Sequence, residues 1–418
     1  MESEQSFLPS NKFPSLRRQQ PYYYLLLLLC LVLSRCCCRF AAAAADDNEG
    51  TCSKSSLVVV LETPTNTSNS YSIVGSNIAL ALQRRPDVDV YLLKLPNYMS
   101  SWKSHSGTAL WGEKDGRILD QDIKRVHAGD EVTGKADLTI RVTIDFRPPT
   151  FPSPMLVLAT SERGYLSNEA ISGDVTLPEA DWSNLKVVAP SLWAADGLLA
   201  SGAKDVAVVP HGVSDHFRPL DFSDRESLRS ALGLADKFVF LHVSAMTPNK
   251  NPSLLLSAFA KVQERFSNTH LFLKGDDDMY SSEARLLGSP AGGIYARLKE
   301  QGHVTYLGSQ LTSVEMSTLH QACDCYVSPY SYEGFNLPVL EALASGLKVI
   351  VTEGGSTDDF VGEEGGGRWK VKAELNVIEG VQRAKNGQKG AFRVEGHKDD
   401  ELFVDVVAKE LVVDEESL

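Results

Sequence analysis

Short apolar runs alternate with amphipathic stretches along most of this chain. The runs are rich in Val, Ile and Leu and are not broken by a polar residue at every second position, which is typical of parallel strands buried on both faces. They form two series, namely Ser56–Glu62, Val88–Leu95, Ala136–Thr143, Met155–Thr160, Leu185–Pro190 and Val206–His211, then Phe238–Val243, His270–Gly275, Val304–Gly308, Asp324–Pro329 and Leu347–Thr352. Helical patterns such as Ser253–Phe266 and Ser313–Ala322 separate the runs. The alternation predicts an α/β protein with two doubly wound, Rossmann-like domains.

The pattern divides the chain into four regions. Residues 55–214 and 221–365 hold the two series of strands, and the polar stretch Asp215–Ser230 is the predicted seam between them. Residues 366–418 mix glycine and charge with little apolar periodicity, which predicts a loop-rich extension, although Glu401–Val413 within them fits a terminal amphipathic helix. Residues 1–46 form a leader of different composition.

A leucine-rich run in the leader, Tyr22–Ser34, follows Arg17 and Arg18. It is shorter than the roughly 20 apolar residues of a transmembrane helix and falls within the roughly 7 to 15 of a signal-peptide core. We expect an uncleaved signal anchor and a single-pass type II membrane protein of the endoplasmic reticulum or Golgi. The alternatives are a cleaved signal of a secreted protein and an organellar transit peptide. With a lumenal body, the sequon at Asn66 predicts N-glycosylation.

Composition adds two constraints. The 54 acidic and 41 basic side chains give a formal charge of -13, so the protein repels a phosphate backbone and is not expected to bind nucleic acid. Any site for an anionic ligand must therefore be locally positive. Four of the seven cysteines lie before residue 40, which leaves too few for a disulfide framework.

The most informative turn follows the run Asp324–Pro329 and reads EGFNLPVLEA, residues 333–342. Ligands of doubly wound domains bind where strands end at their carboxyl edge, and Glu333 lies at such an end. Asn336 and Pro338 predict the start of a helix, with Glu341 about two turns into it. Backbone N–H groups at a helix start suit a diphosphate or sugar hydroxyls. The residues that supply these groups are Gly334, Phe335, Asn336 and Leu337.

This stretch resembles the E-x7-E signature of the retaining nucleotide-sugar glycosyltransferases of the GT-B fold, in particular family 4 (glycosyl transferases group 1), with Asn336 where a glycine is more usual. Val187–Pro219 is similar to the family's crossing between domains, and Glu353–Val361 is similar to its next loop. The resemblance implies transfer of a sugar from a nucleotide-diphosphate sugar to an acceptor hydroxyl with retention of anomeric configuration. It implies no cofactor and no structural metal, and it leaves the acceptor open.

The resemblance also implies roles for single residues. Glu341 would pair with the ribose hydroxyls of the donor, and Glu333 would lie against the donor sugar and stabilise the positive charge that builds at the anomeric carbon. Gly354 and Gly355 would let backbone N–H groups approach a phosphate. Lys250 falls on the position of a lysine that holds the diphosphate.

One departure from the family matters for activity. Ser244 and Ala245 stand where the family usually has Gly-Arg, so one of two cations is missing, and Lys274 is the candidate substitute because it also ends a strand. A departing diphosphate needs positive charge to stabilise it. The missing cation therefore motivates a second hypothesis, a weak or inactive relative that binds a sugar nucleotide or a partner enzyme.

Two further groups of charged residues have alternative interpretations. Asp276–Asp278 resembles the Asp-x-Asp that holds a divalent metal in the other glycosyltransferase fold, or it is an acidic surface turn. Arg141 and Arg147 end a strand of the first domain and either face the cleft on the acceptor side or are solvated.

Overall fold

The computed structural model describes residues 56–97, 102, 104–128, 130, 136–166, 175–362, 367–384, 402–414 and 416–418, with backbone alone for 376–384 and 402–410. Within these residues the chain forms two parallel sheets, each associated with helices, and one antiparallel hairpin. The prediction of two parallel-sheet, Rossmann-like α/β domains is confirmed.

The first sheet has seven parallel strands in the order β3-β2-β1-β4-β5-β6-β7. Its strands are β1 (Leu57–Thr63), β2 (Val88–Lys94), β3 (Lys124–Val126), β4 (Leu138–Val142), β5 (Met155–Leu158), β6 (Leu185–Ala189) and β7 (Val206–Val208). The helices between them are α1 (Ser70–Gln83), α2 (Gly107–Arg117) and α3 (Leu192–Ala200), with a π-turn at Ile118–Asp122 and a 3-10 turn at Leu177–Glu179. The order reverses between β1 and β4, which creates the switch point typical of doubly wound sheets.

The second sheet has six parallel strands in the order β10-β9-β8-β11-β12-β13. Its strands are β8 (Phe238–Val243), β9 (Thr269–Lys274), β10 (Val304–Leu307), β11 (Cys325–Ser328), β12 (Lys348–Thr352) and β13 (Arg368–Val371). The helices are α4 (Phe222–Ala231), α5 (Pro252–Arg265), α6 (Asp277–Tyr280), α7 (Ser282–Leu287), α8 (Gly292–Glu300), α9 (Ser313–Ala322), α10 (Leu337–Ala344) and α11 (Asp358–Val361), with a 3-10 turn at Pro248–Lys250.

Helices cover both faces of the second sheet, because alternate residues of a strand point to opposite faces. Phe238 and Phe240 pack into a core shared with α5 and α8. Val239 and Leu241, which alternate with them along β8, pack into the core shared with α9 and α10. Burial on both faces explains why these strands lack polar alternation.

The carboxyl-terminal region differs from its prediction. Arg368–Val371 pairs in parallel with β12, so the second domain continues past residue 365. The predicted terminal helix over Glu401–Val413 is wrong, because Leu402–Val413 (β15) pairs antiparallel with Ala373–Ala384 (β14). The segment is rich in Val, whose branched side chain favours strands.

One finding contradicts the predicted membrane location. In the part of the chain that the structure describes, no helix has the length and apolar character needed to cross a bilayer. The run Tyr22–Ser34, on which the anchor, the cleaved signal and the transit peptide all depended, lies outside the described residues. Asn66 lies in the loop after β1 at φ 66°, partly buried, and its glycosylation stays a prediction.

Candidate active site

The carboxyl edges of the two sheets face each other, because loops that follow strands of one sheet bond to loops that follow strands of the other. Hydrogen bonds between these loops cross the cleft. They run from Ser68 Oγ to Asp276, from Arg163 Nη2 to the Tyr332 hydroxyl (2.6 Å), from Ser191 Oγ to the Gly334 carbonyl (2.6 Å) and from the Leu192 amide to Asp359 (2.6 Å). A ligand between the domains therefore meets the loops after β5 and β6 on one side and those after β11 and β12 on the other.

Two asparagines tie the loop after β8 to the loop after β11. The Asn249 carbonyl accepts from the Ser331 amide at 2.8 Å, and its side-chain amide donates to the Tyr332 carbonyl at 3.2 Å. Asn251 donates from its side chain to the Pro329 carbonyl at 2.7 Å, and its left-handed backbone (φ 50°) ends the loop immediately before α5. These bonds fix the backbone on both sides of Lys250.

Lys250 is thereby placed against Glu333. Lys250 Nζ lies 2.5 Å from Glu333 Oε1, and the two side chains are 17% and 13% exposed, respectively. The structure thus brings together two residues that the sequence predicted for one donor site, 83 positions apart. Such a pair holds a carboxylate and an ammonium in fixed positions.

Burial and charge act in opposite directions on this pair. Burial raises the pKa of Glu333, Lys250 opposes that rise, and the carboxylate of Glu162 adds to it. Burial lowers the pKa of Lys250, but Glu333 and Glu162 outweigh burial and leave that pKa above its ordinary value. Lys250 is therefore a permanent cation at neutral pH, as anion binding requires.

Glu341 lies in the second turn of α10, where burial raises its pKa to about 7. Within the described residues its carboxylate makes no hydrogen bond and no ion pair. Tyr326, whose hydroxyl donates to the Val243 carbonyl, lies within the electrostatic influence of both Glu333 and Glu341. Glu341 is therefore available to accept from hydroxyls of a ligand, and its place in one site with Glu333 stays a prediction.

The pKa of Glu341 predicts a pH-dependent effect of its replacement on stability. Because the folded-state pKa is about 7 and the ordinary value is 4.5, ionising this carboxyl destabilises the folded chain progressively between those two values and by a constant amount above them. We expect Glu341→Gln to raise Tm by about 2 °C or more near pH 8 and to leave it unchanged near pH 4.5. Differential scanning calorimetry measures both, with the exposed Glu226→Gln as control, and an equal shift at the two pH values would refute the assignment.

The backbone of the EGFNL segment is arranged differently from its prediction. Asn336 precedes α10 in a left-handed conformation (φ 72°), but its side chain donates to Ser328 Oγ at 3.0 Å and does not cap the helix. Phe335 is buried against His211 and Phe360, so its side chain is a packing residue. Gly334 is a glycine because a Cβ there would lie 1.9 Å from Thr160 Oγ1 in the other domain.

The remaining member of this segment, Leu337, is partly buried as the first residue of α10. A contribution of these backbone N–H groups to donor binding stays a prediction.

The loop after β12 is covered by the carboxyl-terminal strand. The Gly354 amide donates to Asp358 at 2.8 Å, and Gly355 packs against Tyr330. Leu411 is 2% exposed, its amide donates to the Ser331 carbonyl at 2.7 Å, and its side chain packs over both glycines. The predicted approach of a phosphate to Gly354 therefore meets an amide that already has a partner, and sequence reasoning had no means of finding Leu411.

Lys274, the predicted substitute for the missing arginine, is held inside its own domain. Its side chain is buried, its ammonium donates to the Gly275 carbonyl, and burial lowers its pKa although Asp276 and Asp277 oppose that effect. Ser244 Oγ accepts from the Met246 amide at 3.0 Å and bonds His242 at 2.9 Å. Donor binding by Lys274 stays a prediction, and Lys250 is the better placed cation.

Two residues of the acidic turn Asp276–Asp278 accept hydrogen bonds from other residues of the protein. Asp276 accepts from the Met279 amide at the start of α6 and from Ser68, and Asp277 accepts from the Tyr306 hydroxyl at 2.7 Å. Among the described residues, no group of three or more His, Cys, Asp or Glu is arranged to hold a metal ion.

The prediction for Arg141 requires a correction, because Arg141 neither faces the cleft nor is solvated, whereas an acceptor-side role of Arg147 stays a prediction. It is 3% exposed and lies between two buried acids, with Nε 2.6 Å from Glu62 and Nη1 3.3 Å from Asp145. Arg147 pairs with Asp145 at 2.6 Å with about half of its side chain exposed. The network forms because Glu62 ends β1 beside Arg141 in β4, a register that the sequence pattern does not reveal.

Comparison with known proteins identifies relatives of the second domain. The family model for glycosyl transferases group 1 matches residues 224–386. Mannosylfructose-phosphate synthase of Agrobacterium fabrum is 28% identical over 154 residues, 36% of this chain and 33% of that protein. D-inositol 3-phosphate glycosyltransferase of Segniliparus rotundus is 29% identical over 170 residues, 40% of this chain and 35% of that protein. The matched segments thus span about a third of these curated relatives.

Solved structures share the fold over a larger part of the chain. Anabaena HepE in complex with UDP-glucose has a TM-score of 0.54 at 15% identity, covering 76% of this chain and 85% of that one. Sucrose-phosphate synthase from Thermosynechococcus elongatus has a TM-score of 0.51 at 18% identity, covering 76% and 86%. The chain therefore carries a glycosyl transferases group 1 segment at residues 224–386, within a fold of the GT-B type.

Proposed function

We propose that this chain is a glycosyltransferase that moves a sugar from a nucleoside-diphosphate sugar to an acceptor hydroxyl. The observation that carries the proposal is the Lys250–Glu333 pair, held at 2.5 Å on the carboxyl edge of the second sheet and facing the first domain. An ammonium beside a carboxylate at a cleft is suited to a ligand with an anionic diphosphate next to a sugar.

Each part of the donor has a candidate partner. Lys250 neutralises the diphosphate, Glu341 accepts from the ribose hydroxyls, and Glu333 accepts from hydroxyls of the sugar. When the donor enters, its diphosphate competes with Glu333 for the ammonium, and Glu333 is then free to face the sugar. UDP-glucose is the first donor to test, because it is the compound bound in the HepE structure.

In the reaction, one bond at the anomeric carbon of the sugar is broken and another is formed in its place. The bond from that carbon to the diphosphate oxygen breaks with its electron pair on the diphosphate, and the acceptor oxygen forms the new bond. The hydroxyl proton passes to the departing diphosphate, and Glu333 stabilises the positive charge on the sugar as it develops. We infer retention of configuration from the resemblance to family 4, and we expect no requirement for a metal.

A second candidate function is favoured by Ala245, which stands where the family usually has an arginine. In that alternative the chain binds a sugar nucleotide without turnover, because one lysine does not stabilise the departing diphosphate sufficiently.

A donor panel separates the two functions. The full chain is incubated with UDP-, GDP- and ADP-sugars, and release of the nucleoside diphosphate is followed with and without EDTA. We expect release from at least one donor, unchanged by EDTA, with the product anomer assigned by NMR. Nucleotide binding without release from any donor would support the inactive alternative, and neither binding nor release would refute both.

A further inference from the structure

Glu162 in the first domain lies opposite Glu333 of the second. Two residues that bracket it touch the second domain: Thr160 packs against Gly334, and Arg163 donates to the Tyr332 hydroxyl while its guanidinium lies 4.3 Å from the centre of that ring. The segment 160–163 therefore runs alongside the segment 332–334 in the opposite direction, with residue 160 beside residue 334 and residue 163 beside residue 332. Residue 162 therefore faces the position of residue 333 across the cleft.

The structure holds the backbone of Glu162 and leaves its carboxylate open. The Glu162 carbonyl accepts from Trp193 Nε1 at 2.7 Å, and the neighbouring Ser161 turns inward, where its Oγ donates to the Tyr165 carbonyl. Glu162 itself is exposed. Among the described residues, the Glu162 carboxylate has no hydrogen bond or ion pair.

Glu162 also influences the donor-side groups electrostatically. Its charge contributes to the raised pKa values of Lys250 and Glu333, and it acts on Tyr280 of α6 as well, after burial and Asp276. A carboxylate that acts on residues of two different loops of the opposite domain projects into the space between the domains.

We propose that Glu162 binds the acceptor, accepting hydrogen bonds from its hydroxyl groups and holding it opposite Glu333. This role rests on the proposed function, because it assumes a donor sugar between Lys250 and Glu333. It deepens that function by identifying the class of acceptor. An ionised carboxylate accepts from hydroxyls and repels phosphate, and the nearby Arg163 is already engaged by Tyr332. The acceptor is therefore a neutral polyol or sugar at the position that contacts Glu162.

Matched pairs of acceptors test this assignment. With a donor that the full chain turns over, release of nucleoside diphosphate is measured in the presence of glycerol or glycerol 3-phosphate, and of fructose or fructose 6-phosphate. We expect the neutral member of at least one pair to accelerate release more than its phosphorylated counterpart. In Glu162→Gln that acceleration should fall by about 10-fold to 100-fold, because an amide is a weaker acceptor than a carboxylate.

Nucleotide binding distinguishes acceptor binding from a structural role of Glu162, because a structural defect would also weaken binding of the nucleotide. Calorimetric titration with the nucleoside diphosphate should show no weakening of binding in Glu162→Gln beyond about twofold in Kd relative to the wild type. Glu226→Gln, an exposed glutamate on α4, should match the wild type in every assay, and Glu162→Asp should recover part of the acceleration.

Three outcomes would overturn the assignment. They are greater acceleration by the phosphorylated members, no acceleration by any neutral member, and equal acceleration in the wild type and Glu162→Gln. Turnover by the wild type in these cases would leave the proposed function standing, whereas no turnover of any donor would overturn both.

Discussion

Replacing Lys250 by alanine is expected to lower kcat/KM for donor turnover by about 100-fold to 1000-fold. Lys250 is the cation paired with Glu333, and the alternative, Lys274, donates to the Gly275 carbonyl from a buried position. Without Lys250 the departing diphosphate loses its ammonium, and Glu333 becomes a buried carboxyl without its partner. Steady-state release of nucleoside diphosphate measures the loss.

The control for this variant is Lys261→Ala, an exposed lysine on α5, the helix that follows Lys250 directly. It removes the same charge from the same domain and should leave kcat/KM within about twofold of the wild type. Glu333→Gln in combination with Lys250→Ala should lower activity by much less than the product of the two single effects, because the residues act as a pair. Equal activity of Lys250→Ala and Lys261→Ala would remove Lys250 from the site.

Arg141→Met is expected to lower the free energy of unfolding of the first domain by about 3–5 kcal/mol. The replacement leaves Glu62, which is 0% exposed, and Asp145, which is 2% exposed, without their shared cation. Three carbonyls, those of Asp145, Arg147 and Pro148, also lose a donor. Equilibrium unfolding in urea, followed by circular dichroism, measures the change.

An exposed arginine of the same domain provides the comparison. Arg117→Met removes an exposed ion pair with Glu113, which lies four residues earlier on α2. It should change the free energy of unfolding by only about 0.3–0.5 kcal/mol. Adding Glu62→Gln to Arg141→Met should recover part of the loss, because Glu62 is the carboxylate left without a cation, whereas Asp145 keeps its pair with Arg147. A loss below about 1 kcal/mol for Arg141→Met would show that Glu62 and Asp145 do not depend on Arg141.

The sequence predicted the two sheets well because parallel strands buried on both faces are continuous apolar runs. All eleven runs lie on strands, and two of the strands that escaped prediction are less apolar. Lys124–Val126 forms the edge of the first sheet with two exposed residues and one buried residue, and Arg368–Val371 forms the edge of the second. The valine-rich terminal segment was mistaken for a helix because its apolar spacing fits both periods and its pairing partner lies some thirty residues earlier.

The site was predictable where one short segment carries it and unpredictable where two domains meet. Glu333 and Glu341 lie in one decapeptide, and Lys250 follows the end of a recognisable strand. The position of Glu162 depends on how the loop after β5 lies against Tyr332 and Gly334, about 170 residues later in the chain. The burial of Arg141 depends in the same way on Glu62, 79 residues earlier.

The most direct test of the central claim is calorimetric titration of the full chain with UDP, GDP and ADP at neutral pH. The Lys250–Glu333 pair predicts saturable binding of at least one of them, weakened about 10-fold or more by Lys250→Ala and unchanged by Lys261→Ala. No binding of any of the three nucleotides, or equal affinity in the two variants, would contradict it.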